Sequence, residues 1–509
     1  NDEAARITAF SLYLSMLHYL DPPAIDRQIK MGNRLPNLIA SKIRSTNHLH
    51  CILPKNAFDV EHIESNPVWK ERFGRGCTDV VVGNPPWGAP GNKADVETKA
   101  RQKILLNWCK SNNKPIGDKE PSQAFLWRAL DFLRTNGKAG MLVSAGVLFK
   151  HSTTTQQFRK QWLDSVRLEE VFNFVHVRKF FFKGADSPFV SICFSKAKQK
   201  DMPVYYWTAK QSTSFNKNQS ILLSRHDLNI ITDHDLADYK IWKSLWWGRF
   251  IDKQFIDYLN IFPKLSSCID IDKSARGFQE GNRKSMADWL GKYQELPINR
   301  INRYVPFSDQ WLVSAPDHVE SRGKTEFLYS GDRILVKRGI EQNNSPKGQI
   351  ISQFYKETFC FRNSAHCIKL INSNQNAYKL LIGILWSSLA RYFYFLTSSN
   401  WGLWHYEIHL EEIFAFPVKL NENNNKNKKK VISIVDKLRN YRPQKQDLFH
   451  HDGVPEETIK AERRKWEAEL DEAVFDLYGL NEEQKDLIRD LCEVTLPFFY
   501  RPFDSIGAM

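Results

Sequence analysis

The stretch Asp79-Val-Val-Val-Gly-Asn-Pro-Pro-Trp87 decides how the rest of the chain is read. Its consecutive valines have high strand propensity and predict a buried strand that ends at Gly83. The turn beyond it puts an amide, a stiff proline backbone and a large aromatic face into one short loop. Such a loop suits a planar ring that carries an amino group. The Asn84 amide oxygen and the Pro85 carbonyl can accept its two hydrogens while Trp87 stacks on the ring. Without a function, the same residues are a tight turn after a core strand with an incidental tryptophan. Pro85-Pro86-Trp87 at a strand end favours the functional reading.

Working outward, residues 4–20 have helical apolar spacing, closed by Asp21-Pro22-Pro23. Residues 50–58 read as a strand that runs into a loop. A polar loop at 88–96 leads to a helical pattern at 97–110. Pro121 suits a first helical turn, and the helix it opens is expected to run to residue 136, with Gly137 as its C-cap. A buried strand at 140–148, a helix at 155–165 and a strand at 168–174 follow. Residues 188–195 and 203–208 read as a closing antiparallel pair. Strands alternating with helices predict an α/β sheet with helices on both faces, whose ligands sit beyond the carboxyl ends of the strands.

From about residue 240 the texture changes to basic, glycine-rich and aromatic segments with short strands, then an apolar run at 380–396. That run is short for a membrane span and contains Arg391, so it reads as a buried helix in a protein with no membrane partner. The tract 421–430 (NENNNKNKKK) reads as an exposed low-complexity loop, and 431–480 as long charged helices. At 509 residues the chain needs more than one core, and 42% hydrophobic content excludes a disordered chain. The 72 Lys and Arg against 58 Asp and Glu leave a net charge of +14, which fits a polyanionic partner. Eight scattered cysteines without a C-x-x-C pair indicate a reduced, cytoplasmic protein and no metal site. There is no phosphate-binding P-loop. His405 and His409 flank Glu407 at a spacing that is not the metalloprotease pattern.

Asn84-Pro85-Pro86-Trp87 resembles the catalytic loop of S-adenosylmethionine-dependent amino-methyltransferases, in particular the gamma-class N6-adenine DNA methyltransferases with a fused target-recognition domain. Asn56-Ala57-Phe58 is similar to the family's polar-plus-Phe site beside the donor's adenine. Residues 121–136, 140–148 and 178–189 follow in the family's order, and 239–420 looks like a target-recognition domain. The resemblance implies a Rossmann-like methyltransferase sheet with flanking helices over 1–238. A mixed α+β recognition domain follows over 239–420, and a charged linker with C-terminal helices over 421–509. The family's glycine-rich donor loop has no counterpart in the chain, and residues 1–6 look like the turn just after its acidic strand. The resemblance therefore implies that the donor half comes from upstream residues or from another chain.

The implied activity is methylation of adenine N6 in specific double-stranded DNA sequences, in a restriction-modification or phage-defence system with other possible subunits. Asn84, Pro85, Pro86 and Trp87 carry the chemistry, and Asn56 and Phe58 flank S-adenosylmethionine. Trp87 and Phe182 stack on a flipped base, although core packing is an equal reading for Phe182. Arg276, Arg283, Arg333, Lys337 and Arg338 reach phosphates or guanine edges, where solvated surface charge is the bland alternative. Two other functions remain open. One is methylation of a protein glutamine or RNA base, and the other is a DNA-specificity or scaffold subunit with an inactive fold.

Overall fold

The computed structural model describes residues 2–32, 38–39, 51–53, 55–182, 186–197, 202–212, 218, 220–232, 236–280, 285–286, 290–316, 318–319, 326–371, 374–420, 425–446 and 452–501. The valine run forms β1 (Thr78–Gly83), which pairs in parallel with β2 (Leu133–Ser144). The remaining strands of this sheet are β3 (Arg167–Asn173), β4 (Phe189–Ser195), β5 (Val204–Thr208) and β6 (Leu228–Ile231), in the order β1-β2-β4-β3-β5-β6.

β1 is an edge strand, not the buried one its valines predict. Among the described residues it pairs with β2 alone, and Val80 and Val82 are 61% and 79% exposed. Side chains two apart share a face, so one side of this strand lies open. The helix Asp2–His18 likewise exposes Ile7, Phe10 and Leu14.

The expected closing pair is also corrected. β4 runs antiparallel to both β2 and β3, whereas β5 is parallel to β3 and antiparallel to β6. Val190, Ile192 and Phe194 are buried in the sheet, so β4 takes a central place that a terminal hairpin would have denied it. The region expected as a strand at 50–58 contributes one parallel bridge, Ile39 with Ile52.

Flanking helices follow the apolar periodicity. Val96–Ser111 buries Leu105 and Trp108, and Thr153–Leu163 sets Phe158 and Trp162 on the sheet, with Trp162 edge-on to Phe194 at 5.1 Å. The helix opened by Pro121 ends at Phe132, short of the expected Gly137 cap. Leu133 is fully buried and turns extended to pair with Thr78, so burial overrides helix propagation there.

Tyr239–Trp247 and Phe250–Leu259 join the two halves: Trp242 and Trp246 are fully buried, and the Tyr206 hydroxyl donates to the Trp242 carbonyl at 3.1 Å. Beyond them, Arg333–Lys337 lies between Ser352–Tyr355 and Ala365–Ile368 in an antiparallel sheet. The apolar run forms two buried helices, Gln375–Trp386 and Ser388–Thr397, bent by 63°. No single helix among the described residues is long and apolar enough to cross a membrane. The lysine-rich part of the expected 421–430 loop is helical instead, in Asn425–Asn440. Val431 and Val435 of that helix are buried against Gly383, so an apolar stripe, not composition, sets its fate.

Candidate active site

The Asn84-Pro85-Pro86-Trp87 loop leaves the carboxyl end of β1 and crosses that of β2. Trp87 is fixed on both counts that matter for a stacking platform. Its indole N–H donates to the Leu142 carbonyl at 3.1 Å, and its ring stacks on Phe189 with centroids 5.2 Å apart and planes 21° from parallel. Phe182 stands edge-on to the same indole, at 5.7 Å and 85°. The structure thus brings Phe182 to Trp87 as a perpendicular wall, and the parallel partner of Trp87 is Phe189. Asn84 is exposed, and its amide has no hydrogen-bond partner among the described residues.

Two neighbouring cavities meet at this loop. One, of about 850 Å³, is lined by Asn56, Phe58, Pro86, Trp87, Gln102 and Phe125 among others. A second, of about 370 Å³, is lined by Val82, Asn84, Pro85, Pro86 and Met141 and shares Ala57 and Phe125 with the first. The larger is of the size that takes a cofactor. Asn56 Oδ1 accepts from the Phe58 N–H at 3.0 Å, which folds residues 56–58 into a tight turn. The Phe58 ring is wedged edge-on between Trp108 and Phe125, at 5.3 and 4.8 Å.

Residues 1–181 match the Eco57I restriction-modification methylase family. No curated protein matches the chain in sequence. Among solved structures, the DNA complex of the Type IIL restriction-modification enzyme MmeI shares the fold, with a TM-score of 0.50 at 14% identity over 94% of this chain and 63% of that one. Weaker likenesses are to the Type ISP enzyme LlaGI with a DNA substrate mimic (TM-score 0.43, 12% identity, 75% of this chain and 44% of that one) and to the type IIG endonuclease BpuSI (0.31, 13%, 78% and 54%). The chain therefore spans less than two thirds of the length of these enzymes.

The basic residues expected to read DNA divide sharply. Arg333 is a correction: it is fully buried, its guanidinium lies 4.4 Å from the Phe359 ring, and burial lowers its pKa. It belongs to the core of the second half. Arg338 binds Glu407 at 2.6 Å. Burial raises the Glu407 pKa, but the Arg338 hydrogen bond and charge, with Asn400, more than offset this and leave it below the ordinary value. Arg276 approaches His409 Nδ1 at 3.4 Å and Glu411 at 4.0 Å. Lys337 is half-buried, and burial lowers its pKa. Arg283 lies outside the described residues.

Residues that the sequence reading missed hold the loop in place. The Glu120 carboxylate is buried and accepts from the Gly88 N–H at 2.9 Å and from the Ser122 hydroxyl at 3.0 Å. Gly88 has φ +77°, which suits glycine at this turn. Arg128, also buried, donates from Nε to the Ala57 carbonyl at 2.7 Å and from Nη1 to Asp131 at 3.2 Å, so it ties the 56–58 turn to the helix Pro121–Phe132. Burial lowers its pKa, partly opposed by Asp131. A charged residue just before a proline-initiated apolar helix, and another inside it, were the available signals.

Proposed function

We propose that this chain carries the target-base half of an S-adenosylmethionine-dependent adenine-N6 methyltransferase acting on specific sequences in double-stranded DNA, within a restriction-modification or phage-defence system. The observation that carries this reading is an exposed Asn84 amide at a strand end, without a hydrogen-bond partner among the described residues, next to a Trp87 that is locked from one side and lines a cofactor-sized cavity.

The exocyclic amine of adenine is a poor nucleophile because its lone pair is delocalised into the ring. Asn84 Oδ1 and the Pro85 carbonyl accept its two N–H bonds and draw the lone pair out of conjugation. Direct transfer then needs positioning and electrostatics, with no covalent enzyme adduct. Trp87 offers an indole face to a base rotated out of the duplex, and Phe182 closes the side. S-adenosylmethionine, when bound, supplies an electrophilic methyl group. The cavity beside Asn56 and Phe58 fits its adenine end: a largely apolar lining with few polar groups around a preformed turn. The exposed Val80 and Val82 edge and the apolar face of Asp2–His18 are surfaces that proteins normally cover. They suit docking of a further polypeptide segment, in the same protein or in another subunit.

Transfer of labelled methyl from S-adenosylmethionine to duplex DNA by the full-length protein tests the reading. Asn84→Ala is expected to abolish it while leaving DNA affinity intact. Undiminished transfer by that variant, or methylation of protein or RNA with none of DNA, overturns it.

A further inference from the structure

Residues 398–409 form a loop whose base is stitched at every point and whose tip is aromatic. Glu412 accepts from the Ser398 hydroxyl at 2.7 Å, the Ser399 N–H at 2.6 Å, the Ser399 hydroxyl at 2.9 Å and the His409 N–H at 2.9 Å. Asn400 Nδ2 bridges Glu407 and His409, each at 2.8 Å, and Arg338 holds Glu407 from outside. Ser399 Oγ lies 2.8 Å from His151 Nδ1, a residue of the methyltransferase half. Trp401 is the anchor. It is fully buried, its indole N–H donates to the Tyr500 hydroxyl at 2.7 Å, and its carbonyl accepts from Lys243 at 2.7 Å. Gly402, at φ +82°, permits the Phe499 ring to pack where a Cβ would meet it at 2.6 Å.

Beyond this anchor the chain comes to the surface. Trp404 is half-buried and His405 is exposed, while Tyr406 is 36% exposed with one side of its ring toward Tyr500, at 5.5 Å, and Phe499, at 6.0 Å. Both flanks of the tip lie near residues that support the candidate active site. On one side, Lys150 Nζ sits 5.9 Å from the Trp404 ring and pairs with Asp118 at 2.9 Å, in the same turn as the Glu120 that holds Gly88. On the other, the Tyr406 phenol is an electrostatic neighbour of Arg178, which opens the short helix Arg178–Phe181 leading to Phe182 against Trp87. A segment of the second half is thus anchored beside the turn that holds Gly88 and close to the helix that leads to Phe182.

We propose that residues 404–406 are a finger that enters the duplex over the methyl-transfer site, with Tyr406 and His405 filling the gap left by the extruded base and contacting its orphaned partner. The proposal rests on the methyltransferase reading above. Extruding a base costs stacking and pairing, and a π-faced side chain in the vacated place offsets part of that cost. Because the base of the loop is already ordered, little further ordering is needed on binding. Tyr406 and His405 are positioning residues in this role.

The test uses the full-length protein and duplexes with 2-aminopurine at the target position or with the target adenine opposite either thymine or an abasic site. His405→Ala/Tyr406→Ala is expected to lower both the fluorescence rise and the methyl-transfer rate on the fully paired duplex by about tenfold or more. Activity returns to within about twofold of the parent protein opposite the abasic site, where extrusion costs less. Tyr406→Phe keeps the ring and behaves as the parent protein does. Parent-level rates on the paired duplex, or equal losses on both substrates, overturn the finger. Asn84→Ala separates the two failures. If it abolishes transfer while the finger variants are unaffected, only the finger fails; if it leaves transfer intact, the methyltransferase reading fails.

Discussion

The Gly88 backbone N–H donates to the Glu120 carboxylate at 2.9 Å, which fixes the far end of the loop that begins at Asn84. The same oxygen accepts from the Ser122 hydroxyl and caps the helix Pro121–Phe132, so loop position and helix start share one buried group. Glu120→Ala releases the Gly88 N–H to solvent, leaves the buried Ser122 hydroxyl without its acceptor and costs about 1–3 kcal/mol of stability. A displacement of the loop on the order of 1 Å lowers transfer by about a hundredfold. Urea unfolding and single-turnover methylation check both values. Glu120→Gln, which keeps an acceptor, retains most of each, and an equal loss in both variants would argue for charge in place of position.

Trp87 makes separable contributions through its ring and its N–H. Trp87→Phe preserves an aromatic face against Phe189 but forfeits the bond to the Leu142 carbonyl, a loss of about 1 kcal/mol. Trp87→Ala removes the platform itself, worth about 1–3 kcal/mol of base stacking. The expected order of 2-aminopurine fluorescence and transfer rate is parent, Phe, then a distinctly weaker Ala variant. A Phe variant as poor as Ala would show that the hydrogen bond, and not the face, is what the site needs.

What could be read from the chain follows from how local each signal is. Asn84 to Trp87 are contiguous, so their chemistry is legible as a string. Phe189, the true parallel partner of Trp87, lies far away in sequence and meets it only because β4 inserts beside β2. The alternation of strands and helices predicts an α/β sheet, but strand order depends on pairing energies that no single segment contains. β4 is therefore misread as the mate of β5. The valines of β1 carry strand propensity without saying what covers them, and Val80 and Val82 are open. Arg333 illustrates the reverse failure. A basic residue in a basic segment suggests solvent, yet the strand 333–337 is central in its sheet and covered on both faces, which puts Arg333 against Phe359.

His176 makes stability depend on pH. Its ring is buried against Trp247, at 4.8 Å, and stacked on Phe499, at 5.8 Å. Burial, followed by the Lys210 and Arg178 charges, lowers its pKa to about 3. The unfolded chain, with a histidine pKa near 6.5, binds the proton first as pH falls. The neutral ring's contribution is thus fully present above about pH 6.5 and is lost progressively toward pH 3. Between about pH 7 and pH 5 the loss is about 2 kcal/mol, and His176→Gln should flatten that part of the profile relative to the parent protein. Denaturant midpoints measured across this range check it, and parallel profiles for the two proteins would rule out the histidine as their cause.

Arg333 and Lys337 lie on the same strand but differ in what they face, and that difference is measurable with salt. Arg333 is wholly enclosed and donates to the Gly331 carbonyl at 2.9 Å, whereas Lys337 is only half-buried. A residue that contacts a phosphate releases a counterion on binding, so its removal reduces the slope of log affinity against log salt by about one. Arg333→Met is expected to leave that slope unchanged. Its effect falls on stability, because a buried, positively charged group held by few partners is replaced by an apolar one of similar length. Lys337→Met, at the partly open end of the strand, is expected to leave stability nearly unchanged and to reduce the slope if this end faces the DNA backbone. DNA binding measured from about 50 to 200 mM salt, beside thermal unfolding of both variants, separates the two roles. A slope reduced by Arg333→Met would mean that the strand turns outward when DNA binds.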